Sequence, residues 1–137
     1  MSILFEPIEL NGMKVPNRVV RSATNDRRAE VSGKLTDGLI DVYEALAAGG
    51  VGLIITGHAY VTWNGKASPE MIGVHNDDMN PGLKRLVDTV HKYDSKIVIQ
   101  LNHAGRQTKS ATIGETPVAP SAVYHVNSPW PGNLSGD

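Results

Sequence analysis

The chain has 137 residues, 40% hydrophobic and 20% charged, with a net charge of −1. That balance suits one sizeable core and excludes the basic excess of a nucleic-acid binder. With no cysteine, disulfides and thiolate metal sites are excluded and a reducing compartment is allowed.

In chain order, Met1-Ser2-Ile3-Leu4-Phe5-Glu6-Pro7 lacks the basic and apolar regions of a signal peptide. No apolar run approaches the roughly 20 residues that span a bilayer, so the expectation is a soluble, cytoplasmic α/β chain without a membrane partner. Ile8-Glu9-Leu10 and Lys14-Val15 flank Asn11-Gly12-Met13, and Asn-Gly predicts a hairpin. A short apolar strand follows over Arg18–Arg21, then a polar stretch to Lys34. Thr36 reads as an N-cap and Asp37 suits the positive helix start. Leu39, Ile40, Tyr43, Leu46 and Ala47 recur at helical spacing until Gly49-Gly50.

A second strand, Val51–Thr56, is apolar on both faces, as a covered parallel strand should be. A long loop is expected from His58 to Asp78. Asn80 then reads as an N-cap with Pro81 first in the next helix, whose buried stripe is Leu83, Leu86, Val87 and Val90. The third strand is Ile97–Leu101, and the Pro- and Gly-rich remainder beyond Asn102 reads as loop. Strand, helix, strand, helix, strand is a parallel βαβαβ unit with no second domain.

Ligands of such units bind beyond the carboxyl ends of the strands. Three exits qualify: Ser22 to Asn25, Gly57 to Ala59, and Gln100 to Arg106. Gln100 is the one polar side chain in its strand, and a primary amide can pair with a carbonyl and an adjacent N–H together. Ser22 and Ala23 are small, Thr24 and Asn25 carry a hydroxyl and an amide, and His58 stands at the second exit. Five histidines, at 58, 75, 91, 103 and 125, show no metal-binding spacing, so no metal site is expected. The glycines at 49, 50 and 52 precede a strand, whereas a phosphate loop follows one. No serine, histidine and acid set has hydrolase spacing.

Asn17-Arg18-Val19-Val20-Arg21-Ser22-Ala23-Thr24, Val51-Gly52-Leu53-Ile54-Ile55-Thr56-Gly57-His58-Ala59 and Lys96-Ile97-Val98-Ile99-Gln100-Leu101-Asn102-His103-Ala104-Gly105-Arg106 together resemble the old yellow enzyme family, from Leu4 to about Val123. The resemblance implies the N-terminal portion of a (β/α)8 barrel: a capping hairpin plus about three β/α units. A closed barrel takes about 250 residues. It also implies FMN as cofactor, NAD(P)H as reductant and an activated alkene or similar small molecule as substrate.

By resemblance Gln100 meets the pyrimidine edge of the flavin, while Ser22, Ala23, Thr24 and Asn25 face the ring and His58 takes a position often held by Ala. The family usually has Pro, Met or Leu and then Thr or Cys at the first exit, so Ala23, Thr24 and Asn25 depart from it. Asn25 stands where a redox-tuning hydroxyl or thiol is usual. Arg106 is expected to tie its loop to a carboxylate or carbonyl. The family's substrate-binding His/Asn or His/His pair, its proton-donating Tyr and its phosphate loops have no counterpart in residues 1–137, and no catalytic residue is assigned.

Residues 1–137 alone are therefore expected to be inactive, with the rest of the barrel or a second copy of the chain as partner. The rival readings are a cofactor-free half-barrel that self-associates through its open edges, and a small-molecule binding module using the same exits.

Overall fold

This computed structural model describes residues 2–121. Asn11 and Gly12 adopt φ of 46° and 87°, the two positive angles a type I′ turn demands. They join β1 (Ile8–Leu10) to β2 (Met13–Val15) in antiparallel register, Leu10 against Met13. Met13 thus belongs to the second strand and the turn has two residues, one fewer than the sequence reading assigned.

The main sheet is parallel. β3 (Val20–Arg21), β4 (Leu53–Tyr60), β5 (Ile72–Gly73) and β6 (Lys96–Asn102) compose it, and β4 is its centre. β6 pairs β4 from Leu53 to Tyr60. On the opposite edge β3 pairs Leu53 and Ile54, and β5 pairs Ala59 and Tyr60. The expected second strand is therefore four residues longer at its carboxyl end, and His58, assigned to a loop, lies inside it. β5 was also read as loop. Ile72-Gly73 is too short to show periodicity, and the strand exists because β4 offers a free edge there.

Between Ile55 and His58 the β4–β6 register slips by one residue, so Thr56 and Gly57 stand opposite Ile99 alone. Such a bulge reverses side-chain alternation beyond it. Ile54 before the bulge and Ala59 after it both pack into the helix-side core, although five residues apart. Without the bulge, His58 would share the face of Ile54; with it, His58 joins Leu53 and Ile55 on the other side. Gln100, its register partner, faces the same way, because paired residues of a parallel ladder share a face.

Two helices cover one face. α1 (Asp37–Ala48) starts at Thr36, whose Oγ1 accepts from the Leu39 N–H at 3.2 Å, and ends at Gly49, followed by Gly50 with φ of 83°. Its Leu39, Ile40, Tyr43 and Ala47 form the core with Ile54, Ala59, Leu86 and Val90. Each large apolar side chain so buried contributes about 1.5–3 kcal/mol.

α2 (Asn80–Val90) departs from expectation at its start. Met79 is its capping residue without a side-chain bond, and Asn80 is already helical. A 3-10 turn over Asp77–Met79 leads straight into α2, and Asn76 caps that turn by accepting from the Asp78 N–H at 3.0 Å. Val87, expected in the buried stripe, is exposed. It lines an open groove between α2 and the β6 edge, over which no described element packs. Beyond Asn102, expected to be loop throughout, a 3-10 turn spans Gly105–Gln107 and α3 covers Ser110–Ile113. No helix among the described residues is long and apolar enough to cross a membrane.

Candidate functional site

The first exit is organised by Arg21. Its register partner is Ile54, so it points to the helix side. From there the guanidinium donates to the Ser22 carbonyl at 2.7 Å and to the Thr24 hydroxyl, which itself donates to the Ser22 carbonyl at 3.3 Å. Thr24 is thereby held within its own turn rather than free to donate outward. Asn25, by contrast, is exposed and its amide is unpaired among the described residues.

Arg21 also sits 3.6 Å from Asp26, and Asp26 accepts from the Tyr43 hydroxyl at 2.5 Å. The Tyr43 oxygen in turn accepts the Gly57 N–H at 2.8 Å. Burial first, and then the hydrogen bond to Asp26, push the Tyr43 pKa well above its ordinary 10.0. The hydroxyl therefore stays protonated and keeps both roles, as donor to Asp26 and acceptor from Gly57. Gly57 itself has no room for a side chain. A Cβ there would lie 2.7 Å from the Thr24 carbonyl oxygen and 2.9 Å from Asp26 Oδ2.

The bulge continues the chain of contacts to the third exit. Thr56 Oγ1 donates to the Gly57 carbonyl at 2.8 Å and accepts from the Gln100 N–H at 3.3 Å. The Gln100 side-chain amide is exposed and unpaired among the described residues. Beside it, His58 Nε2 is buried without a hydrogen-bond partner among the described residues, and desolvation lowers the ring's pKa below the usual 6.5. His58 and Asn25 border one narrow cleft of about 10 Å³, with Asp26, Gly57, Met71 and Ile72 as further walls. The structure thus brings the three exits together and leaves the polar ends of Asn25, His58 and Gln100 unmatched. A ring carrying alternating donors and acceptors on its edge, as a flavin does, fits that donor set.

The linking residues Asp26, Tyr43 and Thr56 were not nominated from sequence. Tyr43 carried only its helical spacing, and nothing local separates a core tyrosine from one that bonds a strand. A second unforeseen feature lies at the end of β4 and just beyond it. Lys66 is 0% exposed, donates to the Val31 carbonyl, and lies 4.7 Å and 5.4 Å from the ring centroids of Trp63 and Tyr60. Burial lowers its pKa. His75 stacks on Tyr60 at 4.7 Å. The loop role expected of Arg106 falls to His103, which accepts the Gly105 N–H at 3.0 Å and pairs with Asn64 at 3.2 Å. Arg106 forms no ion pair among the described residues. No group of three or more possible ligand residues is placed to hold a metal among the described residues.

Residues 3–131 match the family model of the NADH:flavin oxidoreductase / NADH oxidase family. The chain is 37% identical over 137 residues to a metal reductase from Desulforamulus reducens, covering 100% of this chain and 19% of that protein. It is 38% identical over 133 residues to an NADPH dehydrogenase from Clostridium acetobutylicum, covering 96% of this chain and 39% of that one. Among solved structures, the old yellow enzyme homologue from Zymomonas mobilis superposes with a TM-score of 0.83 at 29% identity, over 89% of this chain and 34% of its own. Morphinone reductase in complex with tetrahydroNAD gives 0.82 at 28% identity, over 93% and 35%. The chain thus spans between 19% and 39% of the length of the two sequence relatives. Sequence match and superposition agree: the chain belongs to the NADH:flavin oxidoreductase / NADH oxidase family of FMN oxidoreductases and carries the N-terminal portion of their (β/α)8 barrel.

Proposed function

We propose that residues 1–137 supply one wall of the FMN site of an old-yellow-enzyme-type NAD(P)H oxidoreductase. The observation that carries this reading is the set of unmatched polar groups, Asn25, His58 Nε2 and the Gln100 amide, at the carboxyl ends of adjoining parallel strands. FMN, when bound, relays a hydride from a nicotinamide to an activated alkene or similar acceptor. The chain's own residues bind and orient. Gln100 offers a donor and an acceptor to the polar edge of the ring, and the buried His58 nitrogen supplies one further polar contact beside it. The Ser22–Thr24 turn presents backbone, with Thr24 folded back on Arg21, and Asn25 places an amide at the first exit. The phosphate and the substrate's carbonyl are left to parts of a barrel that this segment does not contain.

Gln100→Ala tests the reading in a protein of barrel length that contains this segment. It should weaken FMN binding by about 1–3 kcal/mol, because a polar edge is left unpaired. Gln100→Leu should do at least as much harm, since it sets apolar bulk against polar ring atoms. Flavin fluorescence titration measures both. Unchanged affinity and turnover in both variants would reduce Gln100 to a strand terminus. Residues 1–137 alone should bind FMN weakly or not at all, for lack of the charge-assisted phosphate contacts. Tight stoichiometric binding in the same titration would place a phosphate site within this segment.

A further inference from the structure

All three exits are joined by one run of hydrogen bonds and an ion pair, and its middle lies on the outside of the sheet. It begins at the Ser22–Thr24 turn, passes through Arg21 to Asp26, crosses to Tyr43 on α1, and enters β4 at the Gly57 N–H. From the bulge it goes through Thr56 to the Gln100 N–H. Tyr43 is buried in the core and touches none of the unmatched polar groups. Its hydroxyl nevertheless accepts the Gly57 amide of the bulge, and it donates to Asp26 immediately after Asn25.

We infer that Tyr43 is a positioning residue for the flavin wall: its hydroxyl clamps the Gly57 bulge and Asp26, and so decides the face of His58, its pairing with Gln100 and the placing of Asn25. A bulge leaves a strand N–H without a ladder partner, and a buried orphan N–H is costly. Tyr43 removes that cost at Gly57, so the bulged register is favoured over the regular one. In the regular register His58 would turn to the helix side, where Ile54 and Ala59 are packed, and Gln100 would lose its partner on the open face. Asp26 Oδ2 occupies the space a Gly57 side chain would need, so turn, tyrosine and bulge form one interlocked contact.

The inference rests on the flavin reading above, and the tests separate the two. Tyr43→Phe keeps the ring in the core and deletes only the hydroxyl. In residues 1–137 without cofactor, hydrogen exchange at the Gly57 amide should accelerate at least tenfold relative to amides of α1, because its acceptor is gone. Equal protection of both would overturn the clamp. In a barrel-length protein loaded with FMN, Tyr43→Phe should weaken FMN binding roughly five- to tenfold and shift the flavin reduction potential, as Gln100→Ala also should. The double variant should lose less than the product of the two effects, since the hydroxyl acts through Gln100 and its neighbours.

Leu86→Ala serves as the control. It loosens the same core without touching the bulge, and should lower the melting temperature while leaving potential and affinity unchanged. If Tyr43→Phe behaves like Leu86→Ala while Gln100→Ala weakens FMN, the positioning role falls and the flavin wall stands. If Gln100→Ala leaves FMN binding unchanged, the flavin reading falls, and the exchange rate at Gly57 alone decides whether the clamp exists.

Discussion

β4 and β6 lie side by side, pair along their whole length and carry the register partners His58 and Gln100, yet their surroundings are opposite. β4 has neighbours on both edges and helices over one face, and Ile54 is 0% exposed. Among the described residues β6 has a neighbour on one edge only, and Leu101, paired with the buried Ala59, is 62% exposed. Between β6 and α2 runs an apolar groove of about 350 Å³, lined on the helix side by Leu83, Leu86, Val87, Ile97, Ile99 and Leu101. On the opposite face Val98 is also exposed. Two strands of similar composition thus differ because one is central and the other is an edge. An apolar edge of this kind is a template for more chain.

Truncating one apolar residue in each strand should give the largest difference between them. Ile54→Ala should destabilise residues 1–137 by about 2–5 kcal/mol, as buried large-to-small changes do. Leu101→Ala should cost under about 1 kcal/mol. Urea denaturation followed by circular dichroism gives both, and equal losses would show that β6 is covered in solution. Next in size is association. Residues 1–137 should form concentration-dependent oligomers in light scattering, and Leu101→Lys should shift them toward monomer by charging the edge. A compact monomer with a sharp, concentration-independent melt would remove the half-barrel picture.

A smaller effect separates the polar residues of the two strands. The folded chain holds the His58 ring below its ordinary 6.5 by burial. As pH falls through about 6.5 the unfolded chain takes up a proton first, so stability should decline from there down to the lower folded value. His58→Gln should flatten that part of the stability curve, whereas Gln100→Ala should leave it alone. An unaltered slope in His58→Gln would assign the titration to another group. The smallest change lies away from both strands. Lys84 and Asp88 pair at 2.6 Å on the exposed face of α2, and Asp88→Ala should cost no more than about 0.5 kcal/mol in the same denaturation.

Much of the fold was legible because its signals are local. The Asn11-Gly12 turn follows from the positive φ those residues tolerate, and α1 from a Thr36 cap, helical spacing and a Gly49-Gly50 stop. The parallel strands follow from apolar runs between helices, and Gln100 stood out as the lone polar side chain in such a run. The errors fall where a partner distant in sequence decides. β5 is two residues long and exists only against Ala59 and Tyr60. The Asn80 cap is displaced because a turn begun at Asn76 continues into α2. Val87 has the spacing of a core residue, but no described element covers it.

The hairpin, the two long helices, three apolar strands and the residues at each strand exit were legible from sequence alone, since each depends on dihedral preference or periodicity within a few positions. Only the tertiary structure decided that β4 carries a bulge, that Tyr43 and Asp26 hold it from outside, and that His58 and Gln100 therefore share a face. Those contacts join residues 14 to 44 positions apart. A one-residue slip of register leaves every local preference intact, and it is the packing of α1 against the strand that selects between the two registers.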